Sequence, residues 1–578
     1  MQFTTTHPWI GLPARHLARL HFDTWTIGTV GVAVLIAVPL VSVVAIALAP
    51  SGDIWQHLAS TVLGHYVSTT LLLMLGVGVG TLVIGTSTAW LVTMCRFPGV
   101  GVFEWALLLP LAVPAYVTAY VYTDVLEFAG PVQEGLRLAF GWTNRQDYWF
   151  PEIRSLGGAI SMMTLVLYPY VYLLSRAAFL EQSVGVLEVS RTLGRGPWRG
   201  FFSVALPLAR PAIVIGITLV LMETLNDFGT VDYFAVATFT VGIYDVWLNM
   251  DSIAGAAQLA SVLLLFVLVL IGAERWARRG QRFHHTSTRY QDLPSYGLSP
   301  GRALLAFLAC LAPACLGFVV PAVVLVRYAL TFYDETLNAN FFVYASNSLI
   351  LSAVSAVLAL AIGLFLAYGV RLSDNVVARA ATRFASIGYA VPGAVLAVGV
   401  IVPLAAFENA FDGFMRDAFG LSTGLFLSGT VVAVTCGYLA RFLALSFGTL
   451  EASLAKVTPN MDGAARTLGL GPMAVLRRVH LPLIRSSALT AALLVFVDCM
   501  KELPMTMILR PFNFETLATF VHQYASDELL EESALGALTI VAAGILPVIL
   551  LSVTIGRSRP GHGREVRSRP GHDKRGRG

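Results

Sequence analysis

Four carboxyl side chains stand in stretches that otherwise read as apolar helix. Glu223 and Asp227 are four residues apart, and Asp498 and Glu502 repeat that spacing 275 residues later. On a continuous helix, this spacing puts both members of a pair on one face. A carboxylate in hydrocarbon is costly and is retained where it meets water, a cation or a partner charge. These groups could attract a cation along a water-filled path, or orient an external protein at its mouth. The competing reading is structural, with the acids satisfying neighbouring helices, for example Asp498 or Glu502 with Lys501 or Arg510.

Other chemistries find little support. No Gly-Lys-[Ser/Thr] occurs, and none of the three lysines, Lys456, Lys501 and Lys574, follows a glycine. A phosphate-cradling loop of that type is therefore absent, and the chain is not expected to hydrolyse ATP by that route. No set of His, Tyr and carboxylate residues has a persuasive metal-ligand spacing. His284-His285 reads as an exposed linker pair, so no metal site is expected. Nor does any His/Cys/Ser constellation suit a membrane enzyme or scaffold. The five cysteines, Cys95, Cys310, Cys315, Cys436 and Cys499, lie in or beside apolar stretches and read as buried thiols.

A second repeated feature is polar. Glu188-Val-Ser-Arg191-Thr192-Leu193-Gly194 leads, nine residues on, to Val204-Ala-Leu206-Pro207. Asp462-Gly463-Ala464-Ala465-Arg466-Thr467-Leu468-Gly469 leads likewise to Val479-His-Leu481-Pro482, again 275 residues later. Gly194 and Gly469 suit a helix C-terminus, and Pro197 and Pro472 the first turn of the next helix. Each copy therefore predicts helix, sharp turn, helix, then entry into an apolar segment. Val189, Leu193, Trp198 and Phe201 are apolar residues on this charged element, suited to a partner's groove. Each would contribute about 1.5–3 kcal/mol if fully buried there.

The elements that must position these residues are membrane helices. Of the 578 residues 56% are hydrophobic and 12% charged, with a mean hydropathy of +0.73. A soluble domain carries roughly twice that charged fraction. Twelve spans are predicted, at 26–49, 67–94, 103–124, 157–175, 208–226, 254–273, 303–326, 344–370, 383–405, 424–445, 483–500 and 535–555. The loop 227–253 has no Arg or Lys and carries Asp227, Asp232, Asp245 and Asp251, whereas 176–210, 274–302 and 371–383 are rich in Arg. The positive-inside rule then puts both termini in the cytoplasm, with the first helix retained. The net charge of +4 clusters at membrane edges and is no nucleic-acid signal. Leu206-Pro207 falls at the cytoplasmic edge, so Glu223 is expected about 20–25 Å further along, near the outer mouth.

The halves repeat elsewhere too. Tyr66-Val-Ser68-Thr-Thr70 matches Tyr344-Ala-Ser346-Asn-Ser348, and Ala112-Val-Pro114 matches Ala390-Val-Pro392, both at an offset of 278. Six helices per half in one order make a parallel repeat. The domain reading is a first half 1–274 with its polar loop at 187–210, a cytoplasmic linker 275–302, and a second half 303–556 with its loop at 462–485. A basic tail, 557–578, follows and is expected to be disordered, with possible contact to anionic lipid.

The spacing from Glu188 through Gly194 to Leu206-Pro207 resembles the coupling-loop signature of permease subunits in binding-protein-dependent ABC importers. The first copy has Val189-Ser190 where that family has two alanines. The second keeps Ala464-Ala465 but has Gly463 at the acidic position, with Asp462 one residue earlier. The stretches Met222–Tyr233, Lys501–Phe514 and Phe520–Glu528 resemble the fused twelve-helix permeases of ferric-iron importers. The resemblance implies an all-α polytopic fold of the type I importer permease class. It also implies two copies of a cytoplasmic ABC ATPase that use ATP and Mg, no cofactor on this chain, and a periplasmic or extracellular substrate-binding protein. The location implied is the bacterial inner membrane, and the action is alternating access with ferric iron as cargo. Thiamine, a polyamine, an oxyanion such as sulfate, or a phosphonate are the alternative cargoes within the class. An ion-coupled secondary transporter is the rival outside it.

Overall fold

The computed structural model describes residues 23–180, 197–277, 296–373 and 375–557. Within them lie eleven helices long and apolar enough to cross a membrane, or twelve if one sharply bent pair is counted as a span. The first half supplies α1 (Thr24–Ala47), α2 (Leu63–Met94), α3 (Ala115–Leu126), α4 (Leu156–Leu180), α5 (Leu206–Asn226) and α6 (Ile253–Ala277). The second supplies α7 (Pro300–Thr331), α8 (Ala339–Ser373), α9 (Gly393–Phe419), α10 (Val431–Leu454), the short polar α11 (Pro459–Thr467), α12 (Leu481–Met500) and α13 (Leu530–Arg557). The one strand pairing among the described residues is a parallel two-residue contact, Cys95–Arg96 with Tyr296–Gly297.

Two predicted spans are interrupted. The stretch 103–124 breaks at Val113-Pro114, where the helices on either side are bent by 92°. The stretch 383–405 breaks at Val391-Pro392. The cause is the same in both: a residue before proline is driven out of the helical region. Val113 and Val391 are accordingly extended (φ −95°, ψ 123° and φ −88°, ψ 130°), and each proline becomes the N-cap of the following helix.

Packing repeats with the sequence. Gly85 on α2 faces α4, and Gly363 on α8 faces α10. A Cβ on Gly85 would come within 2.9 Å of the Tyr168 carbonyl oxygen, and one on Gly363 within 2.5 Å of Ser446 Oγ. Small residues at helix crossings allow the close approach on which packing in membranes relies. A π-helical turn precedes each Leu-Pro entry, at Phe201–Ala205 and at Leu476–His480. Pro207 and Pro482 cannot donate to the preceding turn, and a widened turn absorbs the missing bond. The halves also interlock. On α9, a Cβ at Gly399 would lie 2.1 Å from the Pro39 carbonyl of α1, and on α7 one at Gly317 would lie 2.6 Å from the Leu165 carbonyl of α4.

Candidate translocation cavity and coupling elements

α5 stops at Asn226 with Asp227 as its C-cap, and the Asp227 N–H is still bonded to Glu223 O at 3.0 Å. α12 stops at Met500 with Lys501 as its C-cap, so Glu502 lies beyond the helix and leaves the face of Asp498. This corrects the reading from spacing for the second pair. Asp227 is extended (ψ 134°), and its carboxylate accepts the backbone N–H of Thr230 at 3.0 Å and of Val231 at 3.2 Å, and the Thr230 hydroxyl at 2.9 Å. Glu502 does the same for the next turn, accepting Met505 N–H at 3.1 Å, Thr506 N–H at 3.0 Å and the Thr506 hydroxyl at 2.9 Å. Each carboxylate thus satisfies donors left open at the start of a short helix, Gly229–Tyr233 or Pro504–Leu509.

The four acids nevertheless meet. Glu223, Asp227, Asp498 and Glu502 all line one cavity of about 110 Å³, where α5 of the first half approaches α12 and α10 of the second. Two cations share it. Lys501 Nζ lies 2.9 Å from Asp498 Oδ1, and Arg441 Nη1 lies 3.2 Å from Glu502 Oε1. Glu223 accepts from the Tyr389 hydroxyl at 3.4 Å. Asn226 Oδ1 accepts the Gly393 N–H at 2.7 Å and so holds α5 against the start of α9. Arg510 pairs instead with Glu515. Arg441 was missed in the sequence, although a lone arginine inside an apolar span was a usable signal. At the repeat offset its first-half counterpart is Val166, and that of Lys501 is Asn226, so both cations belong to one half.

The polar loops are unequally described. Glu188, Arg191, Thr192, Leu193 and Gly194 lie outside the described residues, while Pro207 sits in the first turn of α5. Phe201 is not offered to a partner. It is buried against Trp90 and Phe179, and its neighbour Phe202 is exposed.

In the second copy α11 carries Asp462, Ala464, Ala465, Arg466 and Thr467. Gly469 ends it in the left-handed region (φ +78°), with Gly469 N–H bonded to Arg466 O at 3.0 Å and Leu470 N–H to Ala465 O at 3.1 Å. Leu468, at 81% exposure, projects from the turn, with Met461 and Met473 exposed nearby. Pro482 sits in the first turn of α12. Asp462 points inward. Burial alone would raise its pKa, but hydrogen bonds from His480 and Arg371 outweigh that and hold the carboxyl below its usual range.

Residues 82–282 match the family described as binding-protein-dependent transport system inner membrane component. Over those residues, about a third of its length, the chain is similar to permeases of the binding-protein-dependent class. The chain is 27% identical over 495 residues to the Fe(3+)-transport system permease protein FbpB 2 of Haemophilus influenzae, covering 85% of this chain and 90% of that one. It is 23% identical over 457 residues to the ferric transport system permease protein FbpB of Actinobacillus pleuropneumoniae, covering 75% and 63%. The molybdenum transport system permease protein ModB of Escherichia coli is 27% identical over 210 residues, 34% of this chain and 86% of that one. This chain is an ABC importer permease and a multi-pass membrane protein, and the family as a whole works with ATPase and substrate-binding partners.

Proposed function

We propose that the permease passes ferric iron into the cytoplasm by alternating access. A binding protein delivers the iron on the face remote from α11, and two ATPase copies dock on the loops 187–210 and 462–485. The ATPases use ATP and Mg, and this chain contributes no cofactor and no catalysis. Both termini lie on the cytoplasmic side of the inner membrane. The observation that carries the cargo class is the cavity's charge balance. Four carboxyl groups face two cationic side chains, which favours a cation and disfavours an oxyanion. The similarity to two ferric permeases agrees with that sign.

Arg441 and Lys501 inside the same cavity make an oxyanion such as molybdate the second reading. A strain lacking the permease and complemented with it separates the two. Uptake of radiolabelled iron restored without radiolabelled molybdate supports the first, and the converse supports the second.

A further inference from the structure

Arg371, in the last turn of α8, gathers three elements at one guanidinium. Its Nε and Nη2 donate to Asp462 Oδ2 on α11 at 3.1 and 2.9 Å, and Nη2 also reaches the Val457 carbonyl at 2.9 Å. Its Nη1 bonds the Leu454 carbonyl at the end of α10. The other carboxylate oxygen of Asp462 lies 2.6 Å from Nε2 of His480, which is 1% exposed and stands immediately before α12. Tyr368, one turn earlier on α8, packs edge-on against His480 and donates to the Pro472 carbonyl at 2.7 Å. Charge-assisted, forked bonds of this kind fix geometry as well as adding energy.

The first half does not repeat these residue types. At the repeat offsets Arg371 corresponds to Thr93, Asp462 to Leu187 and His480 to Ala205. Asp462 is also the acid nearest the position where the coupling signature places glutamate, and it is spent on the chain's own helices.

We infer that Arg371, Asp462 and His480 form a joint that moves α11 as one body with the cytoplasmic ends of α8, α10 and α12, so that Arg371 is a positioning residue for coupling and Asp462 is not a docking group for the ATPase. Arg371, Asp462 and His480 are not repeated at the corresponding positions of the first half, so this joint serves the second loop. The inference rests on 462–485 being a coupling loop.

The test uses the full permease–ATPase complex, with spin labels at the exposed, repeat-related positions Leu71 and Leu349. R371Q and D462N are each expected to keep two ATPase copies per chain and at least half of the ATP hydrolysis. The ATP-driven change in label distance should fall at least fivefold in both. An unchanged distance response in both variants overturns the inference, and so does loss of an ATPase copy in either, which would make the group a docking residue. L468D reports on the underlying reading separately. If 462–485 is a coupling loop it should drop to one ATPase per chain, and retention of two would remove that reading instead.

Discussion

Asp227 and Glu502 occupy the same place in the two halves and close the same kind of turn, yet their electrostatic settings differ. Glu502 has the Arg441 guanidinium 3.2 Å away, while among the described residues no cationic side chain pairs with Asp227. The repeat has kept the backbone role of the acid and changed its electrostatic one. The first half therefore presents the less compensated carboxyls to the cavity.

Breaking the Arg441–Glu502 pair should be expensive. Both side chains are at least 95% buried, and removing one leaves the other charge without compensation. R441Q is expected to cost about 3–5 kcal/mol, and R441Q/E502Q distinctly less than the two single variants combined. Thermal unfolding of the detergent-purified variants checks this, and an additive double mutant would argue against direct pairing.

E223Q/D498N should reduce uptake of the cargo cation at least tenfold while leaving the ATPase bound. Both carboxyls line the cavity, and neither belongs to the loops proposed to dock the ATPase. Transport at the wild-type rate in this double variant would mean that the cavity acids serve the fold alone.

Much of this arrangement was legible in advance. The repeat offset, the Gly469 turn of the second polar loop and the cavity acids all lie in residue types at fixed spacing. What escaped was set by geometry between distant residues. The pre-proline breaks at Val113 and Val391 were visible as dipeptides, but their effect on the spans was hidden by the unbroken hydropathy around them. The end of α12 after Met500 took Glu502 off the face that periodicity assigned. The Asp462 partners, Arg371 and His480, are 91 and 18 residues away in sequence, so no local pattern connects them.

G85A should separate α2 from α4. The added methyl meets backbone atoms of Tyr168 and Tyr172 at 2.9 Å, and neither can rotate away. The expected loss is about 1–3 kcal/mol, with G85L worse. A melting temperature unchanged in G85A would show that the two helices part without cost.

Acid should act through His522. Its Nδ1 lies 2.6 Å from the Tyr120 hydroxyl, and burial pushes its pKa down to about 4, with the Asp232 carboxylate, 3.6 Å from Nε2, too distant to offset this. A histidine with a depressed folded pKa loses stability as pH falls below its unfolded value of about 6.5, by about 2 kcal/mol at pH 5. Asp232, pushed up to about 6 mainly by burial, works in the opposite sense. The His522 contribution is therefore read as a difference: between pH 7.5 and 5, H522Q should lose about 2 kcal/mol less than the wild type. Equal losses would place the acid-sensitive group elsewhere.

The most direct measurement is uptake into proteoliposomes holding the permease alone or with its ATPase, in each case with iron-loaded binding protein outside and ATP at the ATPase face. Iron should accumulate only when ATPase and ATP are both present, and an imposed proton or sodium gradient should not replace them. Accumulation by the permease alone under an ion gradient would contradict the account.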